Sequence, residues 1–242
     1  MPAEIRAYAR PRELYRFRSL GVNDPKKFKQ ELDALVSGYV FCPSYSAMND
    51  PMEGSHRESA LLKESKFHAR RRNQVETALA TFGIASFSEV RDHELMWAHY
   101  AGNYSGMCVE YDVKRLLKNL PDDHEMVRMT YNEKAPILYR DQETAENKAK
   151  LILSCKSWRW SGEREWRLIR PTIGKAEYGG GRAAVAVFLG SRISDEHEDA
   201  IRAALEPQKI PVSKMKLDTY NLAFEAPKQF SFKKVPKAKT GK

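Results

Sequence analysis

Apolar and polar positions alternate in LYRFR (residues 14–18), placing Tyr15 and Phe17 on one face of a strand and Arg16 and Arg18 on the other. NDPKKFKQELDALVSG then switches to helical spacing, with Phe28, Leu32, Leu35 and Val36 as the apolar stripe. Asp24 can cap that helix, Pro25 suits its first turn and Gly38 its end. YVFCPS (39–44) predicts a short strand, and AMNDPMEGS after it is a loop of turn formers. Residues 58–82 predict one long basic helix anchored by Leu61, Leu62, Val75, Leu79 and Phe82, closed by Gly83. IASFS (84–88) is a strand, HELMWAHYA (93–101) a helix and GMCVEYD (106–112) a strand.

Further along, 126–131 and REWRLIRP (164–171) predict strands, and 141–155 a helix. YGGGRAAVAVFLG (178–190) is a glycine turn into a buried strand. SDEHEDAIRAALEP is a helix capped by Ser194, with acids in its first turn and Pro207 as stop. Extended segments close the chain from Tyr220 to Phe232. There is no internal repeat and no linker. The expected fold is a single α+β domain over residues 1–232, with a mixed, mostly antiparallel sheet of about six to eight strands flanked by helices. Residues 233–242, Lys-rich and without hydrophobic period, are expected to form a disordered basic tail.

Composition suits a folded globule, with 42% hydrophobic and 10% aromatic residues. No run approaches the ~20 apolar residues of a membrane span, and no signal core opens the chain, so a cytoplasmic protein without membrane contact is expected. Cys42, Cys108 and Cys155 are scattered and odd in number, which predicts reduced thiols. The net charge of +9 favours a polyanion partner, RNA or DNA, through a basic surface, although part of the excess lies in the tail.

Several chemistries lack their parts. His93 and His99 stand about 120° apart on a helix, too far round to share a zinc ion as an i, i+4 pair does. Phosphate-loop, dinucleotide G-x-G-x-x-G and G-x-S-x-G motifs are all absent, and no structural metal is expected. What remains is polar residues in unusual settings: Asn49, Asp50 and Glu53 after a strand, Ser86 and Ser88 on one strand face, and Glu163, Glu165 and Arg167 near the start of another. Taken singly, each reads most simply as a cap, turn residue or solvated edge.

The segments LYRFRSLG, FCPSYSAMNDPMEG, ASFSE, LMWAHYAGNYSGMCVEYD, KSWRWSGEREWRLI and FLGSRIS, in this order over residues 14–194, resemble a bacterial family catalogued only as a domain of unknown function. Its motifs are N-D-P-x-E, M-W-x-H-Y and E-x-E-W-R. The order of Arg16 or Arg18, then Ser86 and Ser88, then Glu163-Arg164-Glu165 also resembles ADP-ribosyltransferases of the Arg–Ser–Glu type, with SFS in place of S-T-S. That resemblance implies NAD as cofactor. An Arg would clamp its phosphates, a Ser would support the ribose, and Glu165 would stabilise the oxocarbenium-like centre as nicotinamide leaves. Glu163 would position an acceptor, nucleic acid or protein, in a phage-defence or toxin setting.

Two other readings stand beside it. One is a nucleic-acid-binding or processing module using HARRRN (68–73) and exposed aromatics such as Tyr100, Tyr104, Trp158 and Trp160. The other is a metal nuclease built on Asp50, Glu53, Glu163 and Glu165. Within the segment 86–112, Met96 and Trp97 are expected to pack and His93 to be exposed at a helix start. His99 and Tyr100 are expected to form one wall of the site, with Asn49 and Asp50 nearby. The strand of Arg16 and Arg18, the NDPME loop and the EREWR strand should meet. Beside Arg167 the Glu165 carboxylate should stay ionised, and Glu165→Gln is expected to leave the melting temperature nearly unchanged while abolishing NAD cleavage or ADP-ribose transfer. The plainer alternative is a surface pair with Arg167 worth under ~1 kcal/mol.

Overall fold

Alternation and capping carry through to the observed elements. In this computed structural model the described residues are 10–21, 24–139, 144–179, 182–218 and 221–227. The first half runs β1 (Glu13–Arg18), α1 (Pro25–Ser37), β2 (Tyr39–Cys42), β3 (Arg57–Glu58), α2 (Ala60–Lys63), α3 (His68–Thr81) and β4 (Gly83–Ser88). Then come α4 (Glu94–Tyr100), β5 (Met107–Asp112), α5 (Val113–Lys118), β6 (Glu125–Arg128), β7 (Thr130–Asn132) and β8 (Ile137–Leu138). α6 (Ala145–Leu153), β9 (Cys155–Ser157), β10 (Glu165–Arg170) and β11 (Gly174–Glu177) follow. β12 (Ala184–Leu189), α7 (Asp195–Leu205), β13 (Val212–Asp218) and β14 (Asn221–Phe224) complete the order.

Eight strands form one sheet in the order β14-β13-β12-β5-β1-β4-β10-β6. Its neighbours are antiparallel except β12 and β13, which are parallel. The α+β fold with a mixed, mostly antiparallel sheet flanked by helices is thus the one expected. One face packs on Leu14, Val109, Tyr111, Phe87, Trp166 and Leu168 with Leu35 of α1 and Ile201 of α7. On the other face, Ile84 and Ile169 pack with α3 and α6, and Phe17 and Cys108 pack with Trp97 of α4.

The sheet has a seam. β1 is paired with β5 along its whole length, and β10 with β4 likewise, but β1 and β4 are joined only at Tyr15 and Ser88. Beyond that pair the two strands diverge and a cleft opens between them.

Local chemistry explains the helices. Asp24 accepts from the amides of Lys26 and Lys27, and Gly38 ends α1 in the left-handed conformation with φ 75°. The stripe differs at one point: Val36 is 48% exposed, while Glu31 is buried to pair with Arg18. The long helix expected over 58–82 is broken. Ser59 caps α2, the Ser65 side chain accepts from the Phe67 amide, and α3 restarts at His68. Ser and its neighbours offer backbone groups an alternative to helix, and here they take it. The strand expected over 126–131 divides into β6 and β7. The proposed tail, 233–242, lies outside the described residues. All three cysteines are free, Cys42 and Cys108 buried and Cys155 partly so. Among the described residues no helix is long and apolar enough to cross a membrane.

Two glycines fix α4 against the sheet. A Cβ on Gly106 would lie 2.2 Å from the Arg18 carbonyl oxygen, and one on Gly190 would lie 2.0 Å from that of Tyr104. Both neighbours are backbone, so neither can swing away. Gly106→Ala should therefore lower unfolding stability by about 1–3 kcal/mol, as overpacking does, read by urea denaturation. A loss under a few tenths would show that the backbone there gives way to a methyl group.

Candidate functional site

The cleft at the seam has a volume of about 530 Å³. One wall is the diverging end of β1 with Arg16, Arg18 and Ser19, and Lys27 of α1. The facing wall carries Ser86, Glu163, Glu165, Arg167, Lys156 and Glu53. His99 and Tyr100 of α4 and Asn49 of the NDPME loop close its rim. The three long-range motifs do meet, but from two sides. Tyr15, Ser88 and Glu165 are directly opposite one another in register, so they share a face, and Arg16 and Arg18 leave on the other. Only because the sheet is open there do both sets line one space.

The facing wall is an ion-pair network around Arg167, whose side chain is 0% exposed. Its Nε donates to Glu165 Oε1 at 2.7 Å, its Nη1 to Glu53 Oε2 at 2.9 Å, and its Nη2 to Glu53 Oε1. Nη1 also donates to the Leu153 carbonyl at the end of α6, at 2.8 Å. Lys156 Nζ donates to Glu163 Oε2 at 2.6 Å and to Glu165 Oε2 at 3.1 Å, with the Trp160 ring 5.0 Å away. Tyr100 donates its hydroxyl to Glu163 Oε1 at 2.6 Å. Arg164 stands between the two acids in the left-handed region, φ 45°. That turn lets Glu163, the last residue of a 3-10 turn (Trp158–Glu163), bring its carboxylate beside the strand residue Glu165.

Electrostatics follow from this enclosure. Burial alone would raise the Glu165 carboxyl, but the Arg167 and Lys156 charges override it and hold it at about 2. Burial would lower Lys156, and Glu165 and Glu163 reverse that and raise it. Tyr100 is pushed upward by burial and then by Glu163, so it stays a hydrogen-bond donor. Three carboxylates against two cations leave this wall one negative charge in excess. The β1 wall carries cations: Lys27, and Arg18, which Glu31 matches from α1, while Arg16 borders the cleft with its guanidinium turned to the Phe41 carbonyl.

The remaining expected residues fall in different places. Ser88 is fully buried; its hydroxyl donates to the Glu163 carbonyl at 2.7 Å and accepts from the Val90 amide, so it braces the turn. Asp50 is buried and accepts from the Met52 amide, in a pocket next to the cleft. Met96 and Trp97 pack in the core, and His93 is half-buried rather than exposed. Of the aromatics expected on the surface, Trp158 is 58% exposed; Tyr100, Tyr104 and Trp160 are partly buried. The metal-nuclease reading is corrected: Glu53, Glu163 and Glu165 converge on Lys156 and Arg167, and no acidic, His or Cys group among the described residues could hold a metal ion. Lys156 opens the KSWRWSGEREWRLI segment but is not among the expected site residues, and Glu53 reaches Arg167 across 114 residues of sequence.

Fold and site together define an α+β protein whose split sheet holds a bipolar charged cleft. Residues 96–168 match the family model described as a protein of unknown function, DUF2971. The match runs from Met96 in α4 to Leu168 in β10, holds the MWAHY and EREWRL motifs, and bears out over that segment the family reading made from them. No curated protein and no solved structure matches the chain.

Glu165 is 4% exposed, so the surface-pair alternative fails, and the expectation that Gln leaves stability nearly unchanged is revised. Removing its charge takes a charged acceptor from Arg167 and from Lys156, while Glu53 and Glu163 still pair them, so Glu165→Gln should cost about 1.5–3 kcal/mol in urea unfolding. Its folded pKa lies below the ordinary 4.5, so its contribution is present above about 4.5 and is lost as pH falls toward about 2. The stability of Glu165→Gln should fall less steeply across that window. A variant as stable as wild type would mean that the network is not holding Arg167.

Proposed function

We propose that the cleft binds NAD and that the protein transfers ADP-ribose from it. The observation that carries this reading is the split between β1 and β4. It places a cationic wall opposite an anionic one across a space of about 530 Å³. NAD is itself bipolar, with an anionic pyrophosphate and a cationic nicotinamide ring. Arg18, whose side chain is 31% exposed, and Lys27 are the cations placed to take the phosphates. Ser86 sits midway on β4, within reach of a ribose.

The carboxylate best placed for the chemistry is Glu163. Glu165 is enclosed by two cations, whereas Glu163 shares one cation with it and is oriented by Tyr100. In the reaction the bond from ribose C1′ to the nicotinamide nitrogen breaks, and its electron pair leaves with neutral nicotinamide. The carboxylate stabilises the positive charge at C1′. The acceptor's lone pair then forms the new bond, and the acceptor loses a proton. Acceptor choice draws on charge: the chain carries +9, of which the five lysines of residues 233–242 supply five, leaving +4 for residues 1–232. A nucleic acid is the acceptor that this excess favours.

Saturating NAD, at about 100 times its Kd, should add about 2.7 kcal/mol to unfolding stability. Nicotinamide release in the presence of RNA, DNA or protein should fall by about 100-fold or more in Glu163→Gln, with NAD binding retained. Absence of both NAD binding and nicotinamide release would overturn the reading. Salt-sensitive binding of oligonucleotides without NAD turnover would instead support a binding module.

A further inference from the structure

A second cavity, of about 400 Å³, lies on the other face of the sheet between α1, β2 and the β1–β5 pair. We propose that it binds an organic monocarboxylate, with Arg16 as the counter-charge. This does not rest on the NAD reading, because the cleft's chemistry is assigned to other residues. Arg16 also borders the cleft, but its side chain passes to the α1 side, over the Phe87 ring at 5.6 Å.

Arg16 is 93% buried, at 7% relative exposure, and it is only partly satisfied. Its Nη2 donates to the Phe41 carbonyl at 2.9 Å, whereas its buried Nη1 meets no acceptor among the described residues. A buried guanidinium without a matching carboxylate is costly to hold. Burial, and then the nearby Arg18, lower its pKa to about 10, so it remains charged at neutral pH. The other charges around the cavity are already matched. Arg18 is paired with Glu31, and Lys175 lies 3.8 Å from Asp33. One positive charge is left over, and a monoanion cancels it.

The rest of the lining sets the ligand's body. Leu35, Val40, Met107 and Val109 are apolar, and Tyr39 and Tyr111 add aromatic surface. The volume far exceeds that of an inorganic anion, so the fit is a carboxylate head on an apolar or aromatic body.

Benzoate and hexanoate are suitable probes, with inorganic phosphate as the control. At saturation either carboxylate should raise the melting temperature of the full chain by about 5 °C or more, and Arg16→Met should abolish the rise. Met occupies similar space without a charge. Should that variant not fold, Val109→Phe keeps the guanidinium but fills the cavity, and it should likewise lose the response. The proposal is overturned if neither carboxylate acts on wild type, if both variants respond like wild type, or if phosphate alone stabilises.

Discussion

A guanidinium with no solvent exposure, placed mid-strand in β10, governs the architecture around it. Arg167 needs its donors satisfied and its charge balanced inside the protein, and the partners come from far along the chain. Glu53 brings in the NDPME loop, Leu153 fixes the end of α6, and Glu165 belongs to the same strand. Lys156 then enters to bridge Glu165 and Glu163, which draws in β9 and, through Tyr100, α4. One buried cation thus pins five segments to one wall. Such networks add little net stability compared with an apolar core, but they penalise any arrangement that leaves a member unpaired. The wall of the cleft is consequently rigid before any ligand arrives.

The opposite wall is built differently. Arg18 has a bidentate partner in Glu31, which an amphipathic helix has to bury to supply. Arg16 lacks such a partner. The two arginines leave one strand face toward the same cavity, and the asymmetry between them follows from α1, whose Glu31 reaches Arg18 while Arg16 meets the Phe41 carbonyl of β2.

Period-two and period-3.6 patterns made much of this fold legible. β1, α1, β4, β10 and α7 stand within a few residues of their expected bounds because each carries its own alternation or its own caps, Asp24, Gly38 and Ser194 among them. The alternation in EREWRLIRP even gave the correct faces, Trp166 and Leu168 to one core and Ile169 to the other. What stayed hidden depends on partners distant in sequence. β3, β8 and β9 are two or three residues long and exist only by pairing. The burial of Arg167 and the roles of Lys156 and Glu53 arise from convergence that no local window contains. Charged residues taken singly read as surface, and for Glu165, 4% exposed, only the reading as a site residue fits its enclosure.

Joining β1 to β4 through a single residue pair also leaves the backbone ladder thinnest at one line. Prising apart β1 and β5, or β4 and β10, means breaking a ladder along the full strand. Parting β1 from β4 breaks only the Tyr15–Ser88 pair of the ladder, but it also splits the core that Leu14 and Tyr111 share with Phe87 and Trp166. The apolar core on one face of the seam is common to both halves, with the Phe87 ring edge-on to Tyr111 at 5.5 Å, so side-chain packing and not the ladder ties them together. The width of the cleft is therefore set by the core shared on the opposite face and not by backbone pairing between its walls.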